Sequence, residues 1–313
     1  MTDVITFGET MALMKAATPG PLAHVPSLDL GIGGAESNVA IALCRLGTSV
    51  MWAGRIGADS LGDLVLRELN AEGIQVKAVT DTTAPTGLMI KERRTPDAMK
   101  VWYYRSGSAG SKLDRNDIPV EEIASAKLLH ITGITPALSA SAAEAVRFAV
   151  QSAREAETPI SFDLNYRAAL WSAEDAGMAF RDIITQVDLV FAGDDEARLV
   201  VQGEDAAELA RKLTDLGPKQ AVVKRGERGA VAHIDGADYQ VPAVAVRVVD
   251  TVGAGDAFVA GYLSEFLRGA TPTERLTTAA RVGAFACTVP GDWEGNPRRS
   301  ELSLLNASEP VRR

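Results

Sequence analysis

The sequence predicts an α/β protein: a mostly parallel sheet covered by helices on both faces, with a small second sheet attached. Three observations carry this. Short β-branched or apolar runs alternate with longer helical patterns along most of the chain. Two stretches, 11–31 and 86–105, break that alternation with extended pieces and turns. The chain has 313 residues, 46% of them hydrophobic, enough to bury both faces of a large sheet.

Taken in order, Val4 to Phe7 reads as a strand, and Met11 to Gly31 is Pro/Gly-rich with short extended pieces. Ser37 to Leu46 has the helical pattern, Val50 to Ile56 is a strand, and Gly62 to Glu72 is again helical. Gly87 to Glu92 and Met99 to Arg105 form two strands around a turn at Arg94-Thr95-Pro96-Asp97. Both a cover over a binding site and a structural edge hairpin fit these excursions. Lys127 to Thr132, Pro159 to Leu164, Val187 to Ala192 and Ala221 to Lys224 read as strands. Helices are expected over Ala140 to Glu155, Glu204 to Leu216 and Ala257 to Leu267. One domain over 1–313 is expected, with about 11–33 and 86–107 forming the inserted sheet.

Charge and composition narrow the function. The net charge of −9, with no basic patch or stripe, disfavours nucleic acid as a partner, and any anion site has to be built locally. Cys44 and Cys287 are too few for a disulfide framework and point to a reducing compartment. The N-terminus lacks a basic segment followed by a long apolar core, and no run is long and apolar enough for a membrane span. The expectation is a cytoplasmic protein without membrane partners.

The strongest local signal is Val248-Val249-Asp250-Thr251-Val252-Gly253-Ala254-Gly255-Asp256-Ala257-Phe258, read as an apolar strand, a glycine turn, a carboxylate and a helix. Bare backbone amides and the positive end of a helix dipole make such a junction an anion cradle. Asp256 there is either an N-cap or the base that takes a proton from an alcohol attacking a phosphate. Gly253, Ala254 and Gly255 would then stabilise charge on the moving phosphoryl group. Gly31-Ile32-Gly33-Gly34-Ala35-Glu36-Ser37-Asn38 is a second glycine turn leading into a helix. It is either a plain helix start or a site where Gly33 and Gly34 admit a small ligand and Asn38 bonds its hydroxyls. The P-loop pattern is missing, and both G-x-G sites lack the third glycine of a dinucleotide fingerprint. His24, His130 and His233 have no zinc-ligand spacing and are expected to be surface or packed residues.

These two junctions resemble the paired signatures of the ribokinase-like (PfkB) carbohydrate kinases, and the likeness spans nearly the whole chain. The resemblance implies a ribokinase-like three-layer sandwich with a β-sheet lid that forms the contact of a homo-oligomer, ATP and Mg²⁺ as cofactors, and Asp256 as the base. Within the family the chain is most similar to the 2-keto-3-deoxygluconate kinases. That similarity is carried by Val101-Trp102-Tyr103-Tyr104-Arg105, Asp163-Leu164-Asn165-Tyr166-Arg167, Lys224-Arg225-Gly226 and Gly291-Asp292-Trp293-Glu294-Gly295. It implies that Gly33, Gly34, Asn38, Tyr103, Arg105, Arg167, Asp256 and Asp292 face a sugar acid. Asn165, Arg167, Lys224, Arg225, Gly226, Gly229, Gly253 and Gly255 would face ATP. A sugar acid's carboxylate suits Arg105 and Arg167, since a guanidinium binds carboxylates bidentately. Relatives hold a monovalent cation, K⁺, at the positions of Asp250 and Thr251.

Two positions depart from the pattern. The family's Mg²⁺-ordering N-x-x-E element is Gly193-Asp194-Asp195-Glu196, so only Glu196 carries over, acting through water. A lid position expected to be aromatic is Met89, which cannot donate a hydroxyl hydrogen bond. The resulting expectation is transfer of the ATP γ-phosphate to the primary hydroxyl of 2-keto-3-deoxygluconate. A fructokinase or other neutral-sugar kinase of the same fold, and a non-catalytic sugar-acid sensor, stand as alternatives.

Overall fold

The computed structural model describes residues 2–95 and 98–306. Strand β1 (Val4–Phe7) leads into β2 (Met11–Ala16) and β3 (Leu28–Gly33), then α1 (Ala35–Arg45), β4 (Val50–Gly57), α2 (Ser60–Ala71) and β5 (Gln75–Asp81). The hairpin β6 (Leu88–Thr95) and β7 (Ala98–Tyr104) follows; Pro96 and Asp97 of its expected turn lie outside the described residues. Next come α3 (Val120–Ser125), β8 (Leu128–Thr132), α4 (Thr135–Leu138), α5 (Ala140–Glu155), β9 (Ile160–Asp163), α6 (Ala173–Ile184) and β10 (Leu189–Gly193). The chain continues through α7 (Asp194–Arg198), α8 (Ala206–Thr214), β11 (Gln220–Lys224), β12 (Ala230–Ile234), β13 (Ala237–Val241), α9 (Ala254–Leu267) and α10 (Pro272–Ala286).

The main sheet has nine strands in the order β13-β12-β11-β10-β9-β8-β1-β4-β5. Only β11–β12 and β12–β13 pair antiparallel. Alternating residues of its central strands feed two cores, as the period of a strand requires. Ile5, Ile131, Phe162 and Val190 pack with α5, α6 and α8 on one face. Val4, Leu128, Phe191 and Val222 pack with α1, α2, α9 and α10 on the other. The result is the expected three-layer sandwich.

The second sheet, ordered β3-β2-β6-β7, is the expected small one. Its two antiparallel pairs, β2–β3 and β6–β7, are joined by β2 and β6 as parallel neighbours, with Lys15 opposite Lys91. Residues 248–249 are not a strand: Val248 is exposed, and the Val249 amide bonds instead to the carbonyl of Cys287.

The chain leaves β1 toward β4 and β5 and later fills β8 on the opposite side, so the sheet's switch point lies between β1 and β8. Crevices at the carboxyl ends of strands on either side of such a point are where open α/β sheets bind ligands. Helix α9 points its N-terminus there. It is buried almost all round, and Gly261 lets α10 approach so closely that a Cβ would lie 2.8 Å from the Cα of Ala279.

Candidate active site

Helix α9 begins at Ala254, three residues earlier than the sequence pattern suggested, and its N-cap is Gly253 at φ +77°. A side chain at Gly253 is excluded as well as strained, since its Cβ would stand 1.8 Å from the carbonyl oxygen of Asp292. Asp256 is therefore the third helical residue and not the N-cap. The Ala254 amide bonds to the Thr251 carbonyl at 3.3 Å, while those of Gly255 and Asp256 have no protein acceptor among the described residues. Such amides at the positive end of a helix are ready anion donors.

Asp256 is 8% exposed and faces inward. Its Oδ2 accepts from Asn38 Nδ2 at 2.8 Å, and its Oδ1 accepts from Asn165 Nδ2 at 3.3 Å. Asn165 follows β9 at φ +39°, a left-handed conformation that asparagine tolerates, and the turn aims its amide at the acid. Burial pushes the Asp256 carboxyl up to about 7, and the neighbouring Asp163 charge adds to this; Asn38, Arg167 and Lys224 pull the other way. A carboxylate poised near neutrality can accept a proton from an alcohol. The Oδ1 of Asn38 is buried without a partner among the described residues, an acceptor available to a ligand hydroxyl.

In front of Asp256 lies a cleft of about 490 Å³, part of it open to solvent. It brings together Gly34, Asn38, Tyr103, Arg105, Arg167, Gly253, Asp256 and Asp292, residues scattered through the sequence. Gly33 does not line the cleft. Its missing side chain makes room for Met89 and Asp292, whose atoms would lie 2.3 and 2.4 Å from a Cβ there. Arg167 stands exposed at the rim with its Nη1 on the Tyr166 carbonyl at 3.0 Å.

Arg105 already has a partner that no local motif announces, Glu9. Its Nε and Nη2 both donate to Glu9 Oε2, at 2.8 and 2.6 Å, and Ser108 donates to Oε1 of the same buried carboxylate. The Arg105 Nη1 makes no hydrogen bond among the described residues. The available signal for Glu9 was its position, just past the end of β1, where a ligand crevice opens.

Of the residues expected at a nucleotide, Lys224 reaches toward the cradle, with Nζ 3.6 Å from where a Gly255 Cβ would lie. It donates to both oxygens of buried Asp163 at 2.7 Å. Burial works against its charge, but the carboxylates of Asp163 and Glu196 hold its pKa above the usual lysine value. Gly226 and Gly229, at φ +54° and +80°, shape the turn between β11 and β12. Arg225 lies outside the main cleft, beside a second one, where it faces Asp194.

Glu196 accepts from the amides of Tyr166 and Gly193, at 2.9 and 2.6 Å, and thereby folds the start of α7. No group of three or more His, Cys, Asp or Glu residues placed to hold a metal occurs among the described residues. Mg²⁺ here would take its ligands mainly from phosphates and water, as it commonly does, with Glu196 acting through water. The monovalent-cation expectation fits poorly. Asp250 accepts from the Val252 amide at 3.0 Å and the Gly291 amide at 3.1 Å, and Oδ2 also carries the ammonium of Lys91 at 3.2 Å. Of the histidines, His130 is packed: it is buried beside Ser161, and burial lowers its pKa to about 3.

A buried acid at a glycine-capped helix start, with bare amides on one side and a small polar cleft on the other, is equipped to move a phosphoryl group onto a hydroxyl. Residues 1–299 match the model of the pfkB family carbohydrate kinases, and the chain belongs to that family. It is 36% identical to the 2-dehydro-3-deoxygluconokinase of Bacillus subtilis (strain 168) over 315 residues, covering 99% of this chain and 97% of that one. It is 36% identical to the 2-dehydro-3-deoxygalactonokinase of Haloferax volcanii over 293 residues, covering 93% and 92%. The crystal structure of 2-dehydro-3-deoxygluconokinase from Thermotoga maritima superposes with a TM-score of 0.88 at 26% identity, covering 98% of this chain and 100% of that one.

Proposed function

We propose that this carbohydrate kinase transfers the γ-phosphate of ATP to the primary hydroxyl of 2-keto-3-deoxygluconate, giving 2-keto-3-deoxy-6-phosphogluconate and ADP. The observation that carries the reading is the joint placement of Asp256, the Gly253 cap of its helix, Arg105 and Arg167 around one cleft. The two named relatives, one for a gluconate-derived and one for a galactonate-derived acid, support the keto-deoxy acid class.

In this reading Arg105 and Arg167 take the substrate carboxylate, and Tyr103 adds a hydroxyl hydrogen bond. Asn38 and the backbone at Gly34 hold the sugar hydroxyls. Asp256 accepts the proton of the primary alcohol as its oxygen attacks in line, and the amides of Gly253, Gly255 and Asp256 meet the charge spreading over the phosphoryl oxygens. Lys224, steadied by Asp163, offers positive charge to the nucleotide phosphates. Asn165 and the Arg225 to Gly229 turn border the nucleotide. Mg²⁺, when bound, supplies charge neutralisation across those phosphates. The lid sheet excludes water. Its outer side exposes Leu30, Trp102 and Tyr104, which supports pairing of two copies through the lid.

Two observations favour the neutral-sugar reading. Glu9 neutralises part of the Arg105 charge, and Met89 stands where an aromatic hydroxyl was expected. An ADP-release assay with the gluconate- and galactonate-derived keto-deoxy acids beside fructose and ribose decides. The proposal expects the acids to be turned over best. Equal or better turnover of the neutral sugars contradicts it.

A further inference from the structure

Lys91 belongs to lid strand β6, yet its side chain is only 4% exposed and ends between two buried carboxylates of the main domain, Asp250 and Asp292. Those carboxylates lie on the two segments that build the phosphate cradle. Asp250 already ties these segments together, taking the Val252 amide from one and the Gly291 amide from the other. The carbonyl of Asp292 in turn packs directly against Gly253. Opposite Lys91 in register, Lys15 of β2 pairs with Glu294, whose other oxygen accepts the amides of Asp292 and Trp293 at 2.9 and 3.2 Å. Two neighbouring lid ammoniums thus grip the same loop, but only Lys91 reaches the cradle.

Two buried carboxylates facing one another repel unless a cation stands between them. K⁺ at Asp250 would have to settle beside the Lys91 ammonium, which already shares Oδ2 with the Gly291 amide while the Val252 amide is bonded to Oδ1. We infer that Lys91 is a positioning residue, a lid-borne cation that holds Asp250, Asp292 and hence the Gly253 cradle in register, so that this enzyme needs no added monovalent cation. The inference builds on the kinase reading above. It adds that the seating of the lid and the shape of the cradle are set by one shared ion network.

The test compares the wild-type chain with Lys91→Met and Lys91→Arg in K⁺ and in choline at equal ionic strength, following both turnover and melting temperature. Wild type and Lys91→Arg are expected to show the same melting temperature and rate in either salt. Lys91→Met is expected to lose about 10²-fold in kcat, the scale of a small displacement of reacting groups, and to regain part of it, together with melting temperature, in K⁺. A wild-type rate or melting temperature that depends on K⁺ overturns the inference. So does a Lys91→Met variant with wild-type turnover in choline. If Lys91→Met does not fold, the K⁺ response of wild type and Lys91→Arg alone decides. If wild type phosphorylates none of the sugars tried, the kinase reading fails by itself, while the melting comparison still judges Lys91.

Discussion

Replacing Asp256 by Asn is expected to move activity and stability in opposite directions. Burial holds this carboxyl at about 7 against an ordinary 3.8. At about 1.4 kcal/mol per unit, ionising it costs the native state up to about 4 kcal/mol. The native pKa is the higher one, so between about pH 4 and 7 the native protein keeps a proton that the unfolded chain has released. The cost is therefore absent at lower pH, grows through that window and is complete above it. A carboxamide has no charge to desolvate, and the Asn38 side chain can turn its unpartnered Oδ1 toward the new amide donor. Melting scans should put the Asp256→Asn variant several degrees above wild type near pH 8, with the gap closing toward about pH 4. Steady-state kinetics should show kcat lowered by about 10²–10⁴ with binding retained. A variant that melts below wild type near pH 8, or that turns over at the wild-type rate, refutes the reasoning.

The same carboxyl sets a pH limb: kcat/KM should fall about tenfold per unit below about pH 7, where Asp256 takes up its proton, and a profile flat down to about pH 5 would contradict its role as base. Arg105→Lys keeps a cation beside Glu9 but loses the planar guanidinium, so KM for the keto-deoxy acid should rise about tenfold while KM for a neutral sugar stays put. Equal shifts for both substrates would remove Arg105 from the carboxylate site.

Much of the sandwich was legible because its strands and helices obey simple periods; α5 runs from Ala140 to Glu155, the limits its apolar spacing indicated. Helix α10 has no legible period although its start is explicit, with Thr271 and Glu274 forming a capping box around Pro272. Alanine- and threonine-rich, it shows little contrast between its faces. Strand β5 gives no apolar run because all of its residues are exposed or half-buried at the sheet edge. Helix α9 starts before its apolar pattern does, since the glycine turn itself forms its first turn.

The cradle and Asp256 could be read because glycine spacing and a carboxylate before an apolar helix are local signals. Glu9 and Lys91 could not be found that way. Each matters through partners distant in the chain, Arg105 for one and Asp250 with Asp292 for the other, and only the folded sheet brings those charges together. A lysine within a lid strand reads as solvated until its end is seen to be buried.

The central claim is that Asp256 activates the primary alcohol of a keto-deoxy sugar acid for attack on ATP. Phosphorus–proton correlation in the NMR spectrum of the reaction product tests it most directly. The account predicts phosphorus coupled to the terminal methylene protons of the acid, with one ADP formed per phosphate ester. Phosphorus on a secondary hydroxyl or on the carboxylate, or ADP formed with no ester, would contradict it.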